Sequence, residues 1–204
     1  MTTTATKQKV RVIADSNSES PREWSNLGTI VYNHPRYNLG DEKINDPIEW
    51  LEDMLGITNQ HVYNNQRLEQ LETRFFKEYI ALPLYLYDHG GITMKTTPFG
   101  CRWDSGKVGY IYVSKEDVCK EYGWKNVNQK RREQVLLYLK GEIETFDQYL
   151  RGDIYGFIIE DEDGEHIDSC WGFYGDDFET NGMKDYVSED LWEQLENVEV
   201  EYSY

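Results

Sequence analysis

Residues 153–174 read DIYGFIIEDEDGEHIDSCWGFY, and they indicate the fold more clearly than any other stretch of the sequence. Two aromatic-rich apolar runs flank an acidic segment, and Asp-Gly between strand patterns is typical of a tight hairpin turn. The stretch predicts an antiparallel hairpin that turns at Asp163-Gly164. A calcium loop fits poorly, because aligning Gly164 as its sixth residue puts Ile159 and Cys170 at the first and last ligand positions.

The second run of this hairpin, CWGFYG at residues 170–175, has two interpretations. It predicts a core strand that bends at Gly172, since glycine inside a strand often marks a bulge or bend. The alternative is that its aromatic side chains are exposed and anchor a protein partner.

Outside the hairpin, helical and strand patterns follow one another irregularly. Asp46 and Pro47 begin a helix that Gly56 ends, and the longest helical pattern runs from 128 to 151, before Gly152. This order predicts an α+β fold, a single domain with a mostly antiparallel sheet and several helices packed on it. The domain covers residues 10–204, after a disordered lead at residues 1–9. The other predicted strands are residues 9–14, 27–34, 82–88 and 108–113; the other helices are residues 65–79, 115–123 and a short one from 188; residues 198–204 are an edge strand or a free end.

The composition favours a cytoplasmic protein. The chain has 204 residues, 39% of them hydrophobic, which suffices for a sizeable core. Its longest apolar run, residues 80–87, is too short to cross a bilayer, and MTTTATK at the start lacks the apolar region of a secretory signal. The three cysteines, Cys101, Cys119 and Cys170, are far apart and form no CxxC pair, so we expect reduced thiols without structural zinc.

The net charge of −17 is concentrated in the last third of the chain. Residues 1–140 hold 18 acidic and 19 basic residues, whereas residues 141–204 hold 20 acidic and two basic ones, a net of −18. This acidic third either keeps the protein soluble or presents carboxylates to a basic partner, for which they would stand in for phosphates. Direct binding of nucleic acid is not expected, because the field repels phosphate. The candidate partner-binding residues are Asp161, Glu162, Asp163, Asp176, Asp177 and Glu179.

Residues 88–109, DHGGITMKTTPFGCRWDSGKVG, are the second candidate region. Their five glycines suit turns with positive φ. His89 could form an acid–base pair with Asp104, or serve as the base for Cys101, but neither pair has an obvious third orienting group. The segment is therefore a structural turn, a loop that contacts a ligand or partner, or a catalytic loop. The candidate ligand-binding residues are His89, Cys101, Trp103 and Asp104.

Motifs for metal, phosphate or acyl chemistry are missing from the sequence. The four histidines form no HxH or HExxH pair, and no phosphate-binding glycine loop or GxSxG motif occurs. We predict no metal ion, no cofactor and no catalytic residue. Lys130-Arg131-Arg132 is the only compact basic cluster, and at the start of a long helix it opposes the helix dipole. We expect acidic residues elsewhere, such as the acidic third, to relieve that misfit.

Five segments taken together resemble a group of small uncharacterised cytoplasmic proteins from bacteria, their phages and other mobile elements. The resemblance extends from about Ser20 to Gly175, and the acidic tail after Gly175 matches least well. It implies an accessory role in the cytoplasm of a bacterial host and carries no reaction. The segments are SPREWSNLGT, YNLGD, WDSGKVGYIYV, YLRGDIYGF and SCWGFYG.

Two functions follow from these patterns. The first is a non-enzymatic acidic protein that binds a basic host protein and thereby inhibits a defence system or a nucleic-acid enzyme. The second is a small enzyme or ligand-binding domain with its site in residues 88–109. The sequence favours the first and leaves the partner, the oligomeric state and any catalytic activity open.

Overall fold

The computed structural model describes residues 8–58, 63–101 and 103–202. Its helices are α1 (Pro47–Met54), α2 (Asn65–Glu78), α3 (Lys115–Tyr122), α4 (Gln129–Arg151) and α5 (Trp192–Glu196). Its strands are β1 (Lys9–Ala14), β2 (Thr29–Tyr32), β3 (Glu42–Lys43), β4 (Ile80–Asp88), β5 (Ile92–Lys95), β6 (Ser105–Val113), β7 (Ile154–Glu160), β8 (His166–Tyr174) and β9 (Val200–Glu201). Single 3₁₀ turns lie at Pro21–Glu23, Met183–Tyr186 and Glu189–Leu191.

The predicted α+β fold is confirmed, with strands that are mostly antiparallel and that form two sheets. Within this domain the chain packs as two compact units. The terminal unit combines Met1–Glu23 with Gln148–Tyr204, and the central unit is Trp24–Asp147. Of the predicted lead, residues 1–7 lie outside the described residues, and β1 already begins at Lys9.

The terminal unit is built on a four-stranded sheet of order β8-β7-β1-β9. β1 lies between β7, which runs antiparallel to it, and the two-residue strand β9, which runs parallel. The tail is therefore an edge strand at residues 200–201. Alternate residues of β1 and β7 point towards one face, where the short C-terminal helices cover them. That core contains Val10, Val12, Tyr155, Phe157, Ile159, Phe173, Met183, Val187, Leu191 and Leu195.

The predicted hairpin is confirmed. β7 and β8 pair antiparallel from Ile154 opposite Tyr174 to Glu160 opposite His166. The amide of Asp161 donates to the carbonyl oxygen of Glu165 at 3.0 Å, and Gly164 has a φ of 82°, as a tight turn requires.

The prediction that β8 is a core strand is wrong. β8 lies at the edge of its sheet, and Phe173 is its one buried residue. Trp171 is 45% exposed and its indole lies over Gly156, where a Cβ atom would come within 2.2 Å of the ring. The predicted bend is present, because Gly172 has a φ of 86° and the register shifts between Tyr155 and Phe157.

The central unit carries a five-stranded sheet of order β3-β2-β6-β4-β5, with α1 and α2 packed on it. Its core is rich in aromatic side chains. The ring of Phe75 lies 5.1–5.8 Å from five other aromatic rings, distances typical of favourable aromatic pairs. These partners are Trp50, Phe76, Tyr79, Tyr110 and Tyr112.

Polar groups also take part in the packing of the central unit. Glu52, 1% exposed, accepts from Arg67 Nε at 3.0 Å and Nη2 at 2.5 Å. Glu72 accepts from the hydroxyl of Tyr110 at 2.6 Å and also pairs with Lys107. A buried charge is costly unless it is paired, so these contacts offset part of the cost of placing the two carboxylates in this core.

Side-chain caps begin α1 and α3, and Asp46 confirms the start predicted for the first of these helices. The Asp46 carboxylate accepts from the amides of Ile48 and Glu49 at the start of α1, and the Ser114 hydroxyl accepts from Asp117 at the start of α3. Gly123, in the left-handed conformation, ends α3.

The misfit between the basic cluster and the helix dipole at the start of α4 is compensated by groups other than those predicted. Nη2 of Arg132 donates to the carbonyl oxygens of Phe76 and Tyr79 at the C-terminal end of α2, at 2.5 and 2.8 Å. Arg131 donates to the carbonyl of Asn126. Carbonyl oxygens, including the negative end of a second helix, take the place of the expected acidic side chains.

Candidate functional site

The acidic turn between β7 and β8 contains three of the candidate partner-binding residues. Oδ1 of Asp161 accepts from the amides of Asp163 and Glu165, each at 2.9 Å, so this carboxylate holds the turn together. Asp163 and Glu162 are exposed at its tip. The turn therefore presents carboxylates on a fixed backbone rather than on a loose loop.

The other three candidates lie on the segment after β8. Asp176, Asp177 and Glu179 are all exposed. Oδ1 of Asp177 accepts from the amides of Glu179 and Thr180 at 3.1 and 3.3 Å. The pKa of Asp177 is lowered by its hydrogen bonds, first from the Thr180 hydroxyl and then from these two amides. Asp177 therefore keeps its charge to a lower pH than an ordinary aspartate.

The folded chain separates its charge between the two units. The terminal unit holds 20 acidic and 6 basic residues, a net of −14, whereas the central unit holds 18 and 15, a net of −3. Several terminal-unit cations already have carboxylate partners in their own unit. Arg11 binds Glu160 at 2.9 Å and Glu201 at 2.5 Å, and Lys184 binds Glu196 at 2.7 Å. The field outside this unit is accordingly negative.

The prediction that residues 88–109 form one loop is wrong. β4 ends at Asp88, β5 occupies Ile92–Lys95 and β6 begins at Ser105. His89 lies in the turn between β4 and β5, whereas Cys101, Trp103 and Asp104 lie in the connection from β5 to β6.

The glycines of this segment also differ from the prediction. Of the five, only Gly90 has a positive φ. Gly109 lies where β2 and β4 both pair with β6, and a Cβ atom there would meet the carbonyl oxygen of Val31 at 1.9 Å. Glycine is required at this position for close approach of two strands.

Asp104 brings two of the other candidates together. Its Oδ2 lies 3.4 Å from Nδ1 of His89 and accepts from Sγ of Cys101 at 3.6 Å. The expected His89–Asp104 pair is therefore present. The thiol of Cys101 donates to the carboxylate rather than to the imidazole, so His89 is not positioned as a base on Cys101.

Trp103 and Asp104 line an open cavity of about 400 Å³ in the central unit. Two residues that sequence reasoning missed, His34 and Arg36, lie in the same wall. Arg36 pairs with Asp88 at 2.5 Å, and the Trp103 side chain is 96% exposed. Strand pairing is the signal that could have found His34. Tyr32, at the end of β2 and two residues before His34, lies opposite Gly109 on β6.

His34 is held as a neutral ring at the cavity wall. Its Nδ1 accepts from the amides of Arg36 and Tyr37 at 3.3 and 3.1 Å, and its ring stacks on Tyr37. Burial, followed by the positive charge of Arg36, lowers the pKa of His34 below its ordinary 6.5. The cavity thus offers a neutral imidazole, an exposed indole and a guanidinium–carboxylate pair.

Cys101, Cys119 and Cys170 are all free thiols. Among residues 8–58, 63–101 and 103–202, no group of three or more His, Cys, Asp or Glu side chains could hold a metal ion. In the same part of the chain, no helix is long and apolar enough to cross a membrane.

No family model, no curated protein and no solved structure matches this chain. The resemblance to proteins of phages and other mobile elements therefore stays a prediction.

Proposed function

We propose that the protein is a non-enzymatic accessory protein whose terminal unit binds a basic host protein. The separation of charge carries this proposal: the terminal unit has a net charge of −14 and the central unit −3. Charge concentrated on one unit attracts an oppositely charged partner over several ångströms and speeds association.

The chemistry of the partner follows from the hydrogen-bond donors that pair with carboxylates. A protein surface rich in arginine and lysine that normally contacts phosphates would find similarly spaced negative charges on the terminal unit. We therefore propose a nucleic-acid-binding protein as the partner class, and inhibition of a defence system or nucleic-acid enzyme as the consequence. The resemblance to mobile-element proteins supports a bacterial host as the source of that partner.

The experiment compares three baits, the parent and two variants that each lose four negative charges. In the terminal variant, Asp163, Asp176, Glu162 and Glu179 become their amides, which leaves the turn-holding carboxylates of Asp161 and Asp177 intact. The control variant neutralises four exposed acids of the central unit. These are Glu69, Glu116, Glu133 and Glu144, each replaced by Gln.

A protein captured from a bacterial lysate by the parent and the control, but not by the terminal variant, supports the proposal. Excess duplex DNA should release that protein if it uses its phosphate-binding surface. Its association with the parent should slow markedly as the salt concentration rises from about 10 to about 100 mM, because the Debye length falls from about 30 to about 10 Å. Equal capture by all three baits would contradict the proposal and leave the acidic residues a role in solubility only.

A second candidate, a ligand-binding domain, is favoured by the cavity that Trp103 and Asp104 line. A volume of about 400 Å³ lies within the range of small-molecule sites. The test is native mass spectrometry of the protein purified from its host, beside Trp103→Ala. A retained small molecule that the variant loses supports this candidate, and identical masses after correction for the substitution contradict it.

A further inference from the structure

A separate cavity of about 440 Å³ lies in the central unit, between α3, α4 and the segment that precedes β2. Its side chains are two carboxylates and two phenols, from Asp117, Glu121, Tyr122 and Tyr138, and its remaining wall is residues 25–27. None of its lining residues is basic. Its volume is within the range typical of small-molecule sites.

The local structure holds these groups in place. Asp117 and Glu121 are one helical turn apart on α3, so they share a face, and Tyr122 follows directly. Tyr138 comes from α4. The wall at residues 25–27 is fixed by Glu142 of α4, whose Oε1 accepts from the amides of Leu27 at 2.7 Å and Gly28 at 3.2 Å.

The aromatic part of the cavity is rigid on one side. The ring of Tyr122 stacks on Trp124 with centroids 4.5 Å apart, and the guanidinium of Arg131 lies over Trp124 at 4.7 Å. Trp124 thus covers one face of the Tyr122 ring, and Tyr122 also lines the cavity. Tyr138 is 50% exposed although it is aromatic, so its ring is accessible from solvent.

The cavity is negative. Asp117 accepts from the Ser114 hydroxyl at 2.6 Å and lies 3.6 Å from Lys120, but that lysine also pairs with Glu116 at 3.0 Å. Within the described part of the chain, Glu121 has no ion-pair partner. Burial raises the pKa of Tyr122, and the neighbouring Tyr138, Glu121 and Glu142 raise it further.

We propose that this cavity binds an organic cation, an alkylammonium or guanidinium group on an aliphatic chain. The carboxylates of Glu121 and Asp117 pair with the charge, and the faces of Tyr122 and Tyr138 attract the cation and cover its methylene groups. A phosphate or carboxylate ligand would be repelled by the same residues. This site lies in the central unit and uses none of the acidic residues that we propose for binding of a basic protein by the terminal unit.

The experiment is isothermal titration of the full chain with two probes, spermidine and an acetylated Gly-Arg-Gly peptide amide, in low-salt buffer. We expect saturable binding at one site per chain for at least one probe. Binding of spermidine alone identifies a free polyamine as the ligand class, whereas binding of the peptide identifies an arginine side chain. No saturable binding of either probe at millimolar concentration would overturn the proposal.

Variants locate the site. Glu121→Gln should weaken binding about fivefold through loss of an ion pair, and Tyr138→Ala about threefold through loss of a cation–π contact. Both side chains are exposed, so both variants should keep the circular dichroism spectrum of the parent. The matched control is Glu133→Gln, an exposed acid on α4 that does not line the cavity. If the control weakens binding as much as Glu121→Gln, the probes bind the general negative field and the proposal fails.

Discussion

The two units of this protein use charge in opposite ways. In the central unit, carboxylates such as Glu52 and Glu72 lie inside the packing and bind side chains there. In the terminal unit the core is apolar, and the acidic side chains are spread over the surface at a net charge of −14.

The fold depends on the two kinds of carboxylate to different degrees. Removing a buried, paired carboxylate leaves its partner unpaired in a poorly solvated site, and that is costly. Removing an exposed carboxylate costs little unless it accepts backbone hydrogen bonds. The exposed acids of the terminal unit are thus largely dispensable for folding, so folding stability does not explain why there are so many of them. Variants in both units test this contrast.

The largest effect should come from Glu52. Glu52→Leu leaves Arg67 without the carboxylate that binds two of its nitrogens, so we expect a loss of about 3 kcal/mol in the free energy of unfolding, measured in urea. The control is Glu49→Gln, an exposed acid on the same helix, which should stay within about 0.5 kcal/mol. The double variant with Arg67→Met should recover much of the loss. A loss below about 1 kcal/mol in the single variant would contradict a structural role for this pair.

Tyr110→Phe should have the next largest effect, because it removes the hydrogen bond to Glu72. At pH 7 we expect a loss of about 1.5 kcal/mol. Burial, followed by the hydrogen bond and charge of Glu72, raises the pKa of Tyr110 far above 10. The folded parent then keeps its phenol proton above pH 10 while the unfolded chain releases it, so this contribution is present below pH 10 and is lost as the pH rises further.

The pH dependence provides a second check on Tyr110. Because the phenylalanine variant has no phenol proton to release in either state, the stability gap between parent and variant should narrow as the pH rises from about 9 to about 11. Urea unfolding at several pH values measures it, with Tyr186→Phe, at an exposed position, as the control. A gap that stays constant over this range would show that Tyr110 ionises normally.

How far the sequence predicts this structure depends on the distance between the residues that interact. The hairpin at Asp163-Gly164 and the cap at Asp46 are predicted correctly, because their signals lie within a few residues of one another. The division into two units is missed. Pairing of β1 with β7 joins Lys9 to Glu160, far apart in the chain, and no local pattern encodes it.

The candidate sites show the same limit. The pair of His89 and Asp104 can be anticipated from one segment, but His34 and Arg36 reach the same cavity from β2 through strand pairing. The aromatic run at residues 170–175 is assigned to the core on composition alone. Because β8 lies at the edge of its sheet, Trp171 is exposed and Tyr174 is only partly buried, and Phe173 is the one aromatic residue of the run in the core.

Within the terminal unit, one acid of the hairpin turn should differ from its neighbours. Asp161→Ala removes the acceptor of two turn amides and should cost about 1 kcal/mol, whereas Asp161→Asn keeps an acceptor and should cost less. Asp163→Asn, at the exposed tip of the turn, should stay within about 0.5 kcal/mol. Thermal unfolding of the three variants measures these differences. Equal losses for Asp161→Ala and Asp163→Asn would break the distinction between turn-holding and exposed acids.

The smallest effect concerns the charge state of Asp177. Its pKa is lowered by the Thr180 hydroxyl and by the amides of Glu179 and Thr180, so it should titrate below its ordinary value of 3.8. The linked stability is present above the unfolded pKa and is lost as the pH falls through the lower folded value. Thr180→Val should move the carboxyl titration upwards, as followed by NMR of the side-chain carbon, while Thr180→Ser should leave it in place. At pH 7 Thr180→Val should be only slightly less stable than Thr180→Ser, because water screens and replaces a hydrogen bond to an exposed carboxylate. An unchanged titration in Thr180→Val would show that the backbone amides alone lower the pKa of Asp177. The geometry of the turn would then be sufficient to keep this carboxylate charged.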